Sequence, residues 1–261
     1  MDIKLKGGAT TQDPRLDRVP QFDERSRNFR ARSMSLAGVP LVQRKPRSYT
    51  WGINQWLDQG SEGRCVEYSI CHDLLGRPKE VRPALVDQIL STKRIYWPAQ
   101  EADDWPGGSY PGATPNYEGT SVLAGIKVAA ALGFYREYRW AMALDEAVLG
   151  LGYVGPLVLG INWYEGMYNT DAEGWLHVTG AVAGGHAILA HAIKIAFRPG
   201  GGRTFSDVDL DASYITLHNS WGKDWGVEGR GKLSLTDFDR LRREDGEVCI
   251  ISQRATPRVL A

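Results

Sequence analysis

The texture of the chain changes at Gly155-Pro156. Before that point apolar residues recur at helical spacing; after it they come in short runs separated by turn residues. Val66, Ile70 and Leu74, with Cys71 and Leu75 beside them, predict a helix over Arg64–Leu75 that Gly76 and Pro78 stop. A second helix is predicted from Pro83 to about Tyr96, with the proline in its first turn. A third runs from a Thr120 or Ser121 cap to Leu132, where Gly133 ends it, and a short one covers Leu144–Leu149. Beyond the change, Leu157–Ile161, His186–Ile195, Tyr214–Leu217 and Gly231–Leu235 read as strands. A helical half followed by a strand-rich half argues for an α+β protein built from two lobes.

At 261 residues, 43% hydrophobic with nine tryptophans, the chain suits one compact unit. The expected division is an extended basic arm over 1–46, a helical lobe over 47–150 and a β-rich lobe over 151–261. Residues 47–261 would act as one unit, and the arm, rich in Arg, Asp, Gln, Pro and Gly, would lie on it or move partly free. Residues 98–119 read as a long irregular loop, a feature that in a compact domain usually serves a site.

Lys+Arg and Asp+Glu balance at 31 each, so the whole chain creates no field favouring nucleic acid or an anionic membrane. The arm holds basic clusters at 25–32 and 44–47. A solvated charged arm is the plainer reading of these, and a nucleic-acid contact is left open. Cys65, Cys71 and Cys249 are too few, and odd in number, for a disulfide framework. They suit a reducing compartment, or a reactive thiol, better than a secreted domain. The first residues lack the apolar stretch of a signal peptide, and no run approaches the length of a membrane span. A soluble, cytoplasmic protein is expected, with no cofactor or metal.

Three segments carry chemistry. In Gln59-Gly-Ser-Glu-Gly63-Arg-Cys65 a glycine-rich turn feeds a helix. A thiol at a helix N-terminus has its thiolate favoured by unpaired N–H groups and the positive end of the dipole. Alone, a cysteine in an apolar helix is more often an inert core residue. Gly184-Gly185-His186-Ala187 puts a histidine at the start of a buried strand, with room beside the glycines for a substrate backbone. Taken singly, a satisfied core histidine is the commoner meaning. In Tyr214–Gly229 a strand ends in Asn219-Ser-Trp221-Gly, followed by Trp-Gly and a further glycine. No ordinary strand and turn calls for that string.

In this order the three segments resemble the papain-like cysteine peptidases, over roughly residues 50–252, and bacterial and bacteriophage members most nearly. The resemblance implies a helical lobe carrying Cys65, a β-barrel-like lobe carrying His186 and Asn219, and a cleft between them. It implies that Cys65 attacks the scissile carbonyl as a thiolate paired with His186, which then protonates the leaving amine. Asn219 would orient the imidazole, Trp221 would shield that bond from water, and Gln59 with the Cys65 N–H would hold the oxyanion. Gly119 and Thr120 would pair with an extended peptide or protein substrate in β fashion, with Gly185 and Ala187 also on the substrate side and Gly63 in the turn before the nucleophile.

The chain departs from the family pattern in reading Glu62-Gly-Arg-Cys65-Val66 around the nucleophile, which removes a disulfide partner and an aromatic. Arg64 and Glu67 place opposite charges nearby. The 33-residue step from His186 to Asn219 is long, and the excess is expected in a hairpin over 198–209. The arm has neither the length nor the composition of the usual helical propeptide, and whether it inhibits is open. His186 and His191 lie on opposite faces of a strand, and Cys65 and Cys71 stand about 240° apart on a helix, so neither pair forms a metal or redox site. The Asp103-Asp104 pair reads as solvated loop rather than a calcium site, and Tyr96, Trp97 and Trp105 as packing. A catalytically idle structural or assembly protein, virion-associated if phage-encoded, is one rival; an acyl transferase or amidase using the same thioester is another.

Overall fold

The computed structural model describes residues 2–255. In chain order the strands are β1 Ile3–Lys4, β2 Thr10–Thr11, β3 Ser35–Leu36, β4 Val39–Pro40, β5 Tyr49–Thr50, β6 Tyr135–Trp140, β7 Leu157–Tyr164, β8 Val182–Lys194, β9 Tyr214–His218, β10 Arg230–Ser234 and β11 Glu247–Arg254. The α-helices are α1 Cys65–Leu75, α2 Pro83–Ser91, α3 Tyr96–Ala102, α4 Val122–Ala131, α5 Leu144–Tyr153 and α6 Leu235–Arg243. The α+β class is as expected.

The main sheet has the order β10-β9-β8-β7-β11-β6, with β5 added on β8, and does not close into a barrel. Its middle strands are buried on both faces. Along β8, Ala187 and Leu189 enter one apolar core with α1 and α4, while Ile188 and Ala190 enter another with α5 and α6. The same alternation divides Val158 from Leu157 and Leu159, and Cys249 and Ile251 from Val248 and Ile250. A two-residue side-chain period sends neighbouring residues to opposite faces, so one sheet serves both cores. That is why β7 and β8 read as continuous apolar runs.

Several expected boundaries shift. The helix predicted from Pro83 to Tyr96 is two helices, because the chain breaks at Lys93 in a left-handed conformation (φ 50°). The second of these, α3, takes the first residues of the expected irregular loop. The helix from Leu144 extends to Tyr153, and β8 begins at Val182, before His186. The strand expected to reach Leu235 ends at Ser234, whose hydroxyl accepts from the Asp237 N–H (3.0 Å) and starts α6. Ser121 caps α4 in the same way through Ala124 N–H. The expected hairpin after β8 is present: Phe197 bridges Val208, and Arg198 N–H donates to Asp207 O (2.8 Å).

The N-terminal arm lies on the body, pinned by buried ion pairs. Lys6 Nζ meets Asp103 Oδ1 at 2.7 Å with both side chains fully buried. Asp103 is therefore an anchor for the arm and not a solvated loop residue. Arg30 and Arg32 both reach the buried Glu146 at 3.0 Å, and Arg18 reaches Glu247 at 2.8 Å. Much of the arm's positive charge is spent on carboxylates of the same chain.

Candidate active site

Cys65 is the first residue of α1 and is fully buried. Arg64 before it supplies no side-chain cap, which leaves the Cys65 N–H to a partner from elsewhere in the chain. Ala187 N–H points at Cys65 Sγ (3.2 Å), from the strand that carries His186. His186 Nε2 lies 2.8 Å from Asn219 Oδ1, and that oxygen also accepts from the Ser220 N–H at 2.9 Å. Asn219 directly follows β9. Three separate elements thus bring together the three residues that sequence reasoning singled out.

The arm fills the space between them. Asp17 Oδ1 sits 2.9 Å from Cys65 Sγ and accepts from the Cys65 N–H at 3.3 Å. Arg15 O lies 3.2 Å from His186 Nδ1. Arg18 N–H donates to Gly185 O (3.1 Å) and Val19 N–H to Thr120 O (3.0 Å), so the arm pairs with both walls in extended form. Gly185 and Thr120, expected on the substrate side, here accept hydrogen bonds from the chain's own arm. Gly119 lies beside it: a Cβ there would stand 2.3 Å from Asp17 O, and φ is +89°. At Gly185 it would meet Arg18 O at 2.2 Å, and at Gly63 it would meet Pro14 O at 2.9 Å. These glycines leave room for a chain to pass. Ala187, grouped with them from the sequence, is fully buried, and its N–H serves the thiol.

Burial governs the electrostatics. It pushes the Cys65 thiol well up, and the Asp17 carboxyl against it adds to the rise. Burial also raises Asp17 to about 7, although its hydrogen bonds with Cys65 pull the other way. His186 is lowered to about 4, again by burial, with Asn219 opposing. Both ring nitrogens face acceptor oxygens, and a neutral ring can donate to only one of them. With the arm seated, burial and the Asp17 carboxyl favour the neutral thiol, and burial favours the neutral imidazole.

Gln59 Oε1 accepts from Ser220 Oγ (2.6 Å), and its amide donates to Glu62 O (2.8 Å). Its amide carries a second N–H. Trp221 covers the imidazole with ring centroids 5.1 Å apart, and Arg15 lies over its indole at 4.2 Å. Trp163 is equally close to the imidazole at 4.9 Å, edge-on, and sequence reasoning missed it. It sits in β7 with no motif of its own. Tyr96, read from the sequence as packing, is buried but also has a polar role there: its hydroxyl donates to Glu118 (2.8 Å), accepts from Gly119 N–H (3.0 Å) and lies 3.3 Å from Asp17 Oδ2. The Arg64 and Glu67 charges are spent on each other (2.5 Å), and Glu67 also takes the Ile95 N–H (3.0 Å). All three cysteines are free, and among the described residues no group of three or more His, Cys, Asp or Glu is placed to hold a metal.

No family model matches the chain. Over 94 residues it is 33% identical to cathepsin B-like cysteine proteinase 6 of Caenorhabditis elegans, a stretch that is 36% of this chain and 21% of that one. The chain therefore matches about a fifth of that relative's length. Xylellain, a cysteine protease from Xylella fastidiosa, superposes with a TM-score of 0.61 at 14% identity, covering 95% of this chain and 98% of that one. Digestive procathepsin L 3 from Tenebrio molitor larval midgut gives a TM-score of 0.49 at 12% identity, with 93% and 75% covered. The fold is that of the papain-like cysteine proteases. Among the described residues no helix is long and apolar enough to cross a membrane.

Proposed function

We propose that this chain is a thiol peptidase whose cleft is occupied by its own N-terminal arm. The observation that carries the reading is the meeting of Cys65, His186 and Asn219 around an extended stretch of backbone. With a substrate in place of the arm, Cys65 Sγ, as thiolate, attacks the scissile carbonyl carbon. The carbonyl oxygen takes up negative charge where Asp17 Oδ1 now stands against the Cys65 N–H. The second Gln59 N–H is the other donor for it. His186, protonated and held by Asn219, gives its proton to the leaving amine as the carbon–nitrogen bond breaks. Water then attacks the resulting thioester, His186 takes its proton, and the acid and the thiolate are released.

Hydrogen bonding and burial pull His186 in opposite directions. Withdrawing the arm hydrates both partners and removes the Asp17 carboxyl from the thiol, which favours the thiolate–imidazolium pair over the neutral one. Seating of Asp17 thus works against activation.

The test is hydrolysis of a denatured protein and a peptide library by the full chain, by Asp17→Ala/Arg18→Ala and by Cys65→Ala. Each is run with and without a thiol-directed epoxide. Cleavage should rise in the double variant, stop with the epoxide and be absent from Cys65→Ala. Cleavage that persists in Cys65→Ala removes the reading. A second reading, a catalytically idle assembly protein, is favoured by the buried ion pairs that hold the arm in the cleft. It requires Cys65 of the double variant to alkylate no faster than Cys71.

A further inference from the structure

Past Asp17, which covers the thiol, the arm continues along the start of α4. Val19 N–H donates to Thr120 O (3.0 Å), and Ser121, the cap of α4, donates its hydroxyl to Gln21. Asp23 follows, at most about 20 Å of extended chain from Asp17. There the arm winds into a 3-10 helix over Glu24–Phe29, which Asp23 caps through the Arg25 N–H (2.9 Å). This helix does not close on the body. Between it, α4 and β6 lies a cavity of about 550 Å³.

Two parts of the chain wall that cavity. The body supplies Leu123 and Lys127 of α4 with Arg136, Tyr138 and Trp140 of β6, while the arm supplies Asp23, Arg25 and Phe29. Aromatic rings dominate the lining. Tyr138 and Trp140 meet edge to face with centroids 6.3 Å apart, and Phe29 is 52% exposed, with Arg139 over its ring at 5.7 Å. The charges do not cancel. Asp23 is held by Arg25 through both of its oxygens (2.9 and 2.7 Å), and Glu137 on the rim is paired with Arg139. Lys127 Nζ stands 3.9 Å from Asp23, beyond hydrogen-bond reach, and Arg136 is exposed and makes no ion pair among the described residues. Two cations are left over beside an aromatic cavity. Apolar walls with a few polar groups, at this volume, are the usual form of a small-molecule site. The rings favour an aromatic body, and the spare cations favour a carboxylate on it.

We propose that this cavity binds a small aromatic carboxylic acid and that the bound acid locks the arm over Cys65. The ring of the ligand sits among Phe29, Tyr138 and Trp140, and its carboxylate meets Lys127 and Arg136. A ligand that touches both walls loses one of them when the arm lifts, so it binds the seated state better. Binding and seating then favour each other by the same factor. The proposal goes beyond the peptidase reading and needs only the cover that Asp17 gives the thiol.

The experiment titrates the full chain with 4-phenylbutyrate and with its uncharged amide, by calorimetry. Two rates are then followed by mass: Cys65 alkylation by iodoacetamide and backbone hydrogen exchange over residues 15–22. The acid should bind about tenfold or more tightly than the amide. At ten times its dissociation constant it should slow both rates about tenfold, because the arm opens only in the ligand-free fraction. The double variant Lys127→Gln/Arg136→Gln should bind acid and amide alike and keep the ligand-free rates of the wild type. Equal affinity of the wild type for acid and amide overturns the site, and so does a failure to bind any acid from phenylacetate to 6-phenylhexanoate. Binding that leaves both rates unchanged, or quickens them by displacing the arm, overturns the lock.

Discussion

The same three elements carry two polar clusters, set apart along α1 and β8 but side by side at the close of β9, where His218 is the last strand residue and Asn219 the next. At one end Cys65 opens α1, His186 lies in the first half of β8, and Asn219 follows β9. At the other, His72 of α1, His191 of β8 and His218 of β9 meet, with His218 ring centroids 4.4 Å from His72 and 5.6 Å from His191. The histidine cluster is closed. His72 accepts from Leu57 N–H (3.1 Å), His191 Nδ1 lies 3.1 Å from Trp51 O, and Arg230 donates to His218 (3.2 Å). Burial holds all three imidazoles neutral, His191 to about 4 and His218 to about 3. The cysteine end differs because Gly63, Gly119 and Gly185 leave a path for a backbone, and the arm uses it. Burial depresses a histidine pKa at both ends; a removable neighbour exists at one.

The comparison breaks most decisively at Cys65. Cys65→Ala should lower peptide hydrolysis about 10⁴-fold or more, whereas His72→Gln at the closed end should lower the melting temperature and leave kcat/KM unchanged. Hydrolysis by Cys65→Ala would mean that the open end is as inert as the closed one. Next in size, Gln59→Ala should cost about 10²–10³ in kcat with little change in KM. An effect confined to KM would place its amide on the substrate and not on the oxyanion.

The third prediction concerns the arm. A carboxyl that titrates near 7 when seated and near 3.8 when free favours seating at low pH. That contribution is lost as pH rises from about 4 to about 7. The ratio of Cys65 alkylation rates, wild type over Asp17→Asn, should therefore climb by up to about tenfold per pH unit across that window and then level off. A flat ratio would show that Asp17 does not gate access to the thiol. The closed end has the opposite sign. Its imidazoles are depressed below 6.5, so stability is present above that pH and is lost as pH falls towards 4. Each contributes at most about 1.4 kcal/mol per pH unit. Melts from pH 7 to pH 4.5 should show a falling midpoint that His191→Gln flattens; an unchanged slope would detach the cluster from acid stability.

Legibility followed the range of the signal. The helices Cys65–Leu75 and Val122–Ala131 were readable because spacing, cap and stop lie within a dozen residues of one another. The break between α2 and α3 was not, since Lys93 gives no local reason to leave the helix. Strand β6 was missed because Tyr-Arg-Glu-Tyr-Arg-Trp lacks a clean alternation; it is an edge strand and takes its place from pairing with β11. Helix α6 had a readable start in Ser234-Leu-Thr-Asp237, which reading the strand through Leu235 concealed.

By itself the sequence singled out the candidate residues and the class of fold: Gln59, Cys65, His186 and Asn219 stand in three strings that speak through their order and company, while the cysteine and the histidine each read alone as core. Only the tertiary structure decided what lies between them. The arm's basic residues and the body's carboxylates are far apart along the chain, and no local pattern states that Arg18 will seat on Glu247 or that Asp17 will cover Cys65. Such contacts depend on two distant segments arriving at one place, where burial removes the water that would otherwise keep their charges apart.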